Sequence, residues 1–388
     1  MIRLHLIMFL CLTSIICLCS LVSAGDQIKI GFNIPLTGSF ELVGKHSKNA
    51  AELVLQDLKA SGGLQVGDKS YEVVFVYGDN KSNMSEASKL ALEQVSQEQV
   101  LGIIGPLSSQ QAVPVGQLVN AFATPMISPW STSPLTTLNL PYIFRSCFVF
   151  TIQGPVITKF AAKELKAKKA AVLYDIVSNY PRGMAKSFKE AFNAENGEGA
   201  VVRFEEFRTG DTDFRKQLQS IKESDAQFIF SPQHYYEIPL IVRQAKEIGL
   251  SIPIIGSNSW AGGDLLGGCG EDCEGLFFTC NYAAGGAKGL NKEFVDAYVA
   301  AYGDLPDEPA ALTWDAVRVM LKAIQQTGGL GGNILKDRNA IKDAITKLQN
   351  FEGATGEMSF NSTGNPEKCA VVVRIDDGVF TSYDTVCP

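Results

Sequence analysis

Short apolar runs alternate with longer stretches of helical spacing along nearly the whole chain. In Gln27–Leu36 the residues Ile28, Ile30, Phe32 and Ile34 share one side of an extended segment, and Pro35, Thr37 and Gly38 stop it. Val43–Ser61 carries Ala51, Val54, Leu55 and Leu58 on one helical stripe and ends at Gly62-Gly63. Tyr71–Tyr77 predicts a second strand. Met84–Ser96 predicts a helix with Ala87, Leu90, Ala91 and Val95 inward. Leu101–Ile104 and Pro125–Ser128 have the length of buried parallel strands, and Val115, Leu118, Val119 and Phe122 set a helix over Gln111–Ala123 between them. Up to residue 145 the chain therefore runs β-α-β-α-β-α-β, the pattern of a parallel sheet covered on both faces.

After an extended link at Leu140–Val149 the pattern starts again. It predicts a helix at Ile152–Leu165, a strand at Ala170–Tyr174, a loop at Ser178–Gly183 and a helix at Met184–Ala194. Strands at Val201–Phe207, Ala226–Ser231, Pro253–Gly256 and Gly275–Cys280 alternate with helices at Phe214–Ile221 and Ile238–Ile248. This is a second doubly wound unit of similar size. Beyond Asn281 three helical patterns follow without strands between them: Lys292–Tyr302, Thr313–Gln326 and Asn339–Gln349. They are expected to cover the first sheet. Strands return at Glu357–Phe360 and Ala370–Ile375, with Val379–Tyr383 behind a turn.

The predicted fold class is α/β: two doubly wound parallel-sheet lobes joined by a three-stranded hinge. The chain crosses near 145, 282 and 353. One lobe takes 25–145 with 282–352, the other 146–281 with 353–388, and such a hinge implies a cleft.

The N-terminus adds a compartment. A basic start at Arg3, an apolar run from Leu4 to Val22 and Val22-Ser-Ala24 describe a secretory signal peptide over 1–24. Cys147, Cys269, Cys273, Cys280, Cys369 and Cys387 follow it, an even set that suits disulfides in an exported chain. Cys269-Gly-Glu-Asp-Cys273 suggests a local bridge, and Cys369 and Cys387 flank a candidate hairpin. His46 and His234 are the only histidines beyond the signal segment, which argues against a metal centre. With 34 Lys and Arg against 41 Asp and Glu and no basic run, nucleic acid is not an expected partner.

The candidate chemistry sits at strand ends. Ser108 and Ser109 follow the Leu101–Ile104 strand; Ser128, Ser131, Thr132 and Ser133 follow the next. Ligands of open α/β sheets bind outside these carboxyl ends, and free N–H groups at the following helix start favour an anion. The hydroxyls also suit turns and helix caps, yet two matching clusters on neighbouring strands favour a small carboxylate ligand. Trp130 is expected in the cleft wall and Tyr180, ahead of Pro181 in a polar loop, at its rim. No G-x-S-x-G elbow, P-loop, G-x-G-x-x-G after a strand or H-E-x-x-H occurs. The expectation is a binding protein without cofactor or metal, not an enzyme. The alternative is the ligand-binding part of a sensor signalling through a docked membrane partner.

Five motifs in order carry a resemblance: Ile30–Gly38 (IGFNIPLTG), Ile103–Ser109 (IIGPLSS), Pro125–Pro134 (PMISPWSTSP), Arg243–Leu250 (RQAKEIGL) and Gly353–Asn365 (GATGEMSFNSTGN). The chain resembles the periplasmic type I substrate-binding proteins of bacterial ABC importers, and within them the leucine/isoleucine/valine-binding group. The resemblance implies a periplasmic monomer that hands an amino acid or related carboxylate or amide to an inner-membrane ABC permease. It implies Ser109 and Thr132 at the ligand's carboxylate and the Trp130 backbone at its ammonium group. On the second lobe it implies Tyr180 and one ring among His234, Tyr235 and Tyr236. The acid that pairs with the α-ammonium in that group falls at Asn258, which cannot supply the charge a buried ammonium needs. Asp175 and Glu237 are the candidate substitutes; failing these, the ligand lacks an α-amino group. An aromatic position of the group is Val43, which is expected to enlarge the pocket.

Overall fold

A computed structural model describes residues 27–387; the signal peptide expected over 1–24 lies outside the described residues. The first half builds β1 (Gln27–Ile34), α1 (Glu41–Ala60), β2 (Leu64–Val66), β3 (Lys69–Asp79), α2 (Met84–Ser96), β4 (Gly102–Ile104), α3 (Ser109–Ala121), β5 (Met126–Ser128) and β6 (Ile143–Arg145). They form one sheet in the order β2-β3-β1-β4-β5-β6. Pairing is parallel from β3 to β6; β2, missed by the strand pattern because only Leu64 and Val66 are apolar between Gly63 and Gly67, closes an antiparallel hairpin on β3. Order reverses between β1 and β4, so a crevice opens beyond their carboxyl ends.

The second sheet gathers β7 (Ala170–Asp175), β8 (Val201–Phe207), β9 (Phe228–Phe230), β10 (Ile254–Gly256) and β11 (Phe277–Cys280) in parallel. Helices α4 (Gln153–Phe160), α5 (Asn179–Asn196), α6 (Arg215–Lys222), α7 (Ile238–Glu247) and the short α8 (Leu265–Cys269) alternate with them. The reversal here falls between β7 and β9. One expectation fails: Ser178–Gly183 is not a loop. Pro181 sits in the first turn of α5, where a missing N–H costs nothing, so Asn179-Tyr180-Pro181 opens the helix.

Helices α9 (Gly289–Tyr302), α10 (Glu308–Gln326) and α11 (Ile334–Thr346) return to the first sheet. α10 is buried almost throughout because its apolar positions run around the helix. Gly102 allows its close approach: a Cβ there would lie 2.6 Å from Met320 Cε. A ribbon of β12 (Phe351–Gly353) and β13 (Gly356–Met358) follows, then β14 (Ala370–Asp376) and β15 (Val379–Val386), which add to β11 as an antiparallel edge.

Residues 351–365 stay with the first sheet. Asp315 of α10 accepts from the N–H groups of Ala354 and Thr355, Arg145 N donates to Gly364 O, and Thr137 Oγ1 to Asn365 Oδ1. The third crossing therefore lies just before Ala370, later than the expected position near 353. The crossings are tied together. Phe148 N donates to Asn281 Oδ1, and the buried Lys368 donates to Ser146 O and Thr355 Oγ1. Cys269–Cys273 and Cys369–Cys387 are both disulfides, and Cys147 and Cys280 are buried thiols.

Candidate functional site

The carboxyl ends of both sheets point at the same place. From the first come the turn after β1 with Phe40, the β4–α3 turn with Leu107, Ser108 and Ser109, and the segment Trp130–Ser133 after β5. From the second come the first turn of α5 with Tyr180, the segment after β9 with His234, and the segment after β10 with Asn258 and Ser259. Leu107, Ser108, Ser109, Trp130, Tyr180, His234, Asn258 and Ser259 line one small, tightly closed cavity. A roomier groove, bordered by Val54, Leu58, Trp314, Arg318 and Phe351, lies between α1 and α10, away from the strand ends.

On the first sheet's side the hydroxyls divide their work. Ser108 caps α3 by accepting from Gln110 N. Ser109 Oγ takes Ser131 Oγ at 2.9 Å and Ser133 N at 3.4 Å, and Ser131 also meets Thr136 Oγ1 at 2.7 Å. Ser131 is thus a support behind Ser109, not part of the lining. Thr132, in the same segment, is fully buried, and its Oγ1 has no hydrogen-bond partner. The segment is rigid because the buried Arg145 guanidinium donates to the carbonyls of Ser131 and Ser133. A buried polar backbone needs such partners.

The second sheet's side is a connected polar network. Tyr180 Oη lies 2.7 Å from both Ser257 Oγ and Asn258 Oδ1. Gln153 Nε2 donates to Asn258 Oδ1 at 2.8 Å, while Gln153 Oε1 accepts from Asn258 N and Thr279 Oγ1. His234 Nδ1 lies 2.5 Å from Ser259 Oγ. Burial pushes the His234 imidazole down to about 4, so the ring is neutral at ordinary pH.

The three-way ambiguity after β9 resolves on His234, which is the ring in the lining. Tyr236 stacks on it at 5.6 Å, and Tyr235 turns aside to donate to Ser39 O across the cleft. Val43 does not open the pocket; it is buried in the core, and Phe40 three residues earlier faces the cleft. The Phe40 ring packs edge-on against His234 at 4.9 Å and Trp130 at 6.3 Å. Neither candidate substitute acid fits. Asp175 accepts from Val177 N and Thr209 Oγ1, and Glu237 from His234 N, each at its own strand or helix end. The carboxylate that does meet Asn258 is Glu308, the first residue of α10. As an ordinary first-turn acid after Asp307 it gave no sequence signal; Gln153 gave none either. Ser259, inside Gly256-Ser-Asn-Ser-Trp260, was legible by position.

Cross-cleft contacts hold the halves together. Asp307 Oδ2 accepts from Gly263 N at 3.0 Å and meets His46 Nδ1 at 3.0 Å, while its Oδ1 caps α10 at Ala310 N. Gly263 needs its freedom here: its φ is +67°, and a Cβ would lie 2.3 Å from the Tyr235 ring. Among the described residues no group of three or more His, Cys, Asp and Glu side chains is placed to hold a metal ion. Among them, too, no helix is long and apolar enough to cross a membrane.

Two sheets of this order with facing switch points and a shared cavity define a two-lobed binding fold. The periplasmic binding protein family model matches residues 27–379, and the chain belongs to that family. A leucine-, isoleucine-, valine-, threonine- and alanine-binding protein of Pseudomonas aeruginosa is 27% identical over 343 residues, covering 88% of each chain. A leucine-binding protein of Thermotoga maritima superposes with a TM-score of 0.84 at 30% identity, covering 93% of this chain and 99% of that one. A branched-chain amino-acid transporter substrate-binding protein of Streptococcus pneumoniae, solved with isoleucine, gives the same TM-score and identity, over 93% and 100%.

Proposed function

We propose that this chain is the solute-binding component of an ABC importer and holds a small amino acid or related carboxylate between its lobes. One observation carries the reading: strand ends from two separate sheets converge on a single cavity lined by hydroxyls, an aromatic wall and a neutral imidazole. Ser108 and Ser109 at the start of α3 and the unpartnered hydroxyl of Thr132 offer donors to the acid group. Trp130, Phe40 and Tyr180 enclose the remainder, with His234, Ser259 and Asn258 closing from the other side. The relatives named for leucine, isoleucine and valine support this ligand class. Two or three charge-assisted bonds of about 1.5–3 kcal/mol each, with the aromatic wall, suffice for micromolar affinity, which needs about 8 kcal/mol.

The lobes are 27–145 with 282–365 and 146–281 with 366–387, working as a monomer about the three crossings. The ligand docks on the first lobe, the second closes, and the closed surface is what the permease reads. The family's name and the leader over 1–24 support a periplasmic location. No turnover is assigned to the site.

The test is heat-melting of the purified protein against branched-chain and other amino acids, aliphatic and aromatic acids and short amides, followed by calorimetry. A ligand that raises the melting temperature and binds one-to-one without being consumed is the expected result. Failure of every acid and amide to stabilise the protein, or appearance of a product, overturns the reading.

A further inference from the structure

The cavity lining carries no charged side chain. Its polar members are the Ser108, Ser109, Tyr180 and Ser259 hydroxyls, the neutral His234 and the Asn258 amide. The charge stands one layer behind. Glu308 is 1% exposed, and all four of its hydrogen bonds come from N–H donors. Oε1 accepts from Asn281 N and Asn281 Nδ2 at 2.5 and 2.7 Å. Oε2 accepts from Trp130 Nε1 at 2.6 Å and from Asn258 Nδ2 at 3.5 Å. No Lys, Arg or His among the described residues pairs with it. Lys368 is spent on Ser146 O and Thr355 Oγ1, and His46 on Asp307.

A buried carboxylate with no cation in contact is an expensive arrangement, even with good donors; the buried Lys368 ammonium acts on it only at a distance. Burial pushes its proton affinity up, to about 7, against the pull of those donors. Two of the donors, Trp130 and Asn258, are themselves lining residues. The field of Glu308 therefore reaches the cavity through groups already polarised by it.

This inference rests on the proposed capture of a small acid. We infer that Glu308 makes the site selective for ligands that carry an ammonium group beside the acid, acting through Asn258 and Trp130 as a positioning residue. The charge comes from the first helix turn behind the cavity, and the loop after β10 supplies only an amide.

The experiment compares leucine with 4-methylpentanoate, the same skeleton without the amino group, by calorimetry. The wild-type protein should prefer leucine by at least about tenfold, the size of one charge-assisted bond. Glu308→Gln should cut leucine binding by about tenfold while leaving 4-methylpentanoate within about twofold. The double variant Glu308→Gln with Asn258→Asp, which moves the acid into the lining, should restore the preference; a merely structural role predicts no such rescue. Equal wild-type affinities, or equal weakening of both ligands by Glu308→Gln, overturn the inference and leave acid capture standing. Binding of neither overturns the inference, while capture of another acid is decided separately by the wider melting screen. Should Glu308→Gln not fold, Asn258→Asp in the native background decides. With a counter-charge already in place it should add no more than about twofold to the leucine preference, and a gain of about tenfold would overturn the assignment.

Discussion

Thr132→Val separates a ligand contact from a structural hydroxyl, because the two roles give opposite signs. Thr132 is fully buried in the segment pinned by Arg145, and its Oγ1 has no partner. A buried hydroxyl left unpaired costs about 1–3 kcal/mol, and valine keeps the side-chain shape while removing it. The ligand-free protein should therefore gain about 1 kcal/mol or more, read as a higher urea midpoint at unchanged slope. Binding should move the other way. If Oγ1 donates to the ligand's acid group, its loss removes about 1.5–3 kcal/mol, or about 10- to 150-fold in Kd. Calorimetry on the same preparations supplies the second number. A variant that is more stable and binds as well as wild type would remove Thr132 from the site. A variant that is less stable would show that the hydroxyl is paired after all.

Three further outcomes follow from the geometry. Asp307→Ala removes both the cap on α10 and the acceptor for Gly263 N across the cleft, so it should cost about 1 kcal/mol of stability and about tenfold in affinity; unchanged affinity would reduce Asp307 to a cap. The His234 imidazole, depressed to about 4, should show no NMR titration between about pH 8 and about pH 5. The unfolded chain takes that proton near pH 6.5 while the folded one does not, so stability falls as pH drops from there towards 4, and His234→Gln should abolish this part of the slope. Cys369→Ser with Cys387→Ser opens a link across 18 residues and should cost about 3 kcal/mol in urea melts.

The alternation of short apolar runs and helical stripes carried most of the architecture, since strands buried on both faces leave an unmistakable pattern. Met84–Ser96 and Val201–Phe207 begin and end where periodicity puts them. Features below that wavelength were not visible. β2 (LQV) and β12 (FEG) carry no continuous apolar run, and Tyr180-Pro181 reads as a loop until the tolerance of a first helical turn for proline is applied. The site divides the same way. Ser108, Ser109 and Trp130 follow strand ends and could be placed by position. Gln153, Glu308 and Phe40 belong to the site only through contacts distant along the chain, as from Gln153 to Asn258, from Trp130 to Glu308 or from Phe40 to His234. The Val43 reading failed because Val43 lies on the buried stripe of α1, whereas Phe40 stands at the helix's N-cap, where the chain leaves the strand end.

The position of Lys368 limits how the protein can open. Its ammonium group, enclosed between Ser146 O and Thr355 Oγ1, cannot be pulled into a bare interior without a penalty of several kcal/mol. On the proposed hinge, bending is therefore expected at the flanking residues, with the knot of linkers turning as a single pivot. Opening then follows one arc, so an unloaded molecule would present a transporter with a narrow set of shapes instead of a floppy continuum.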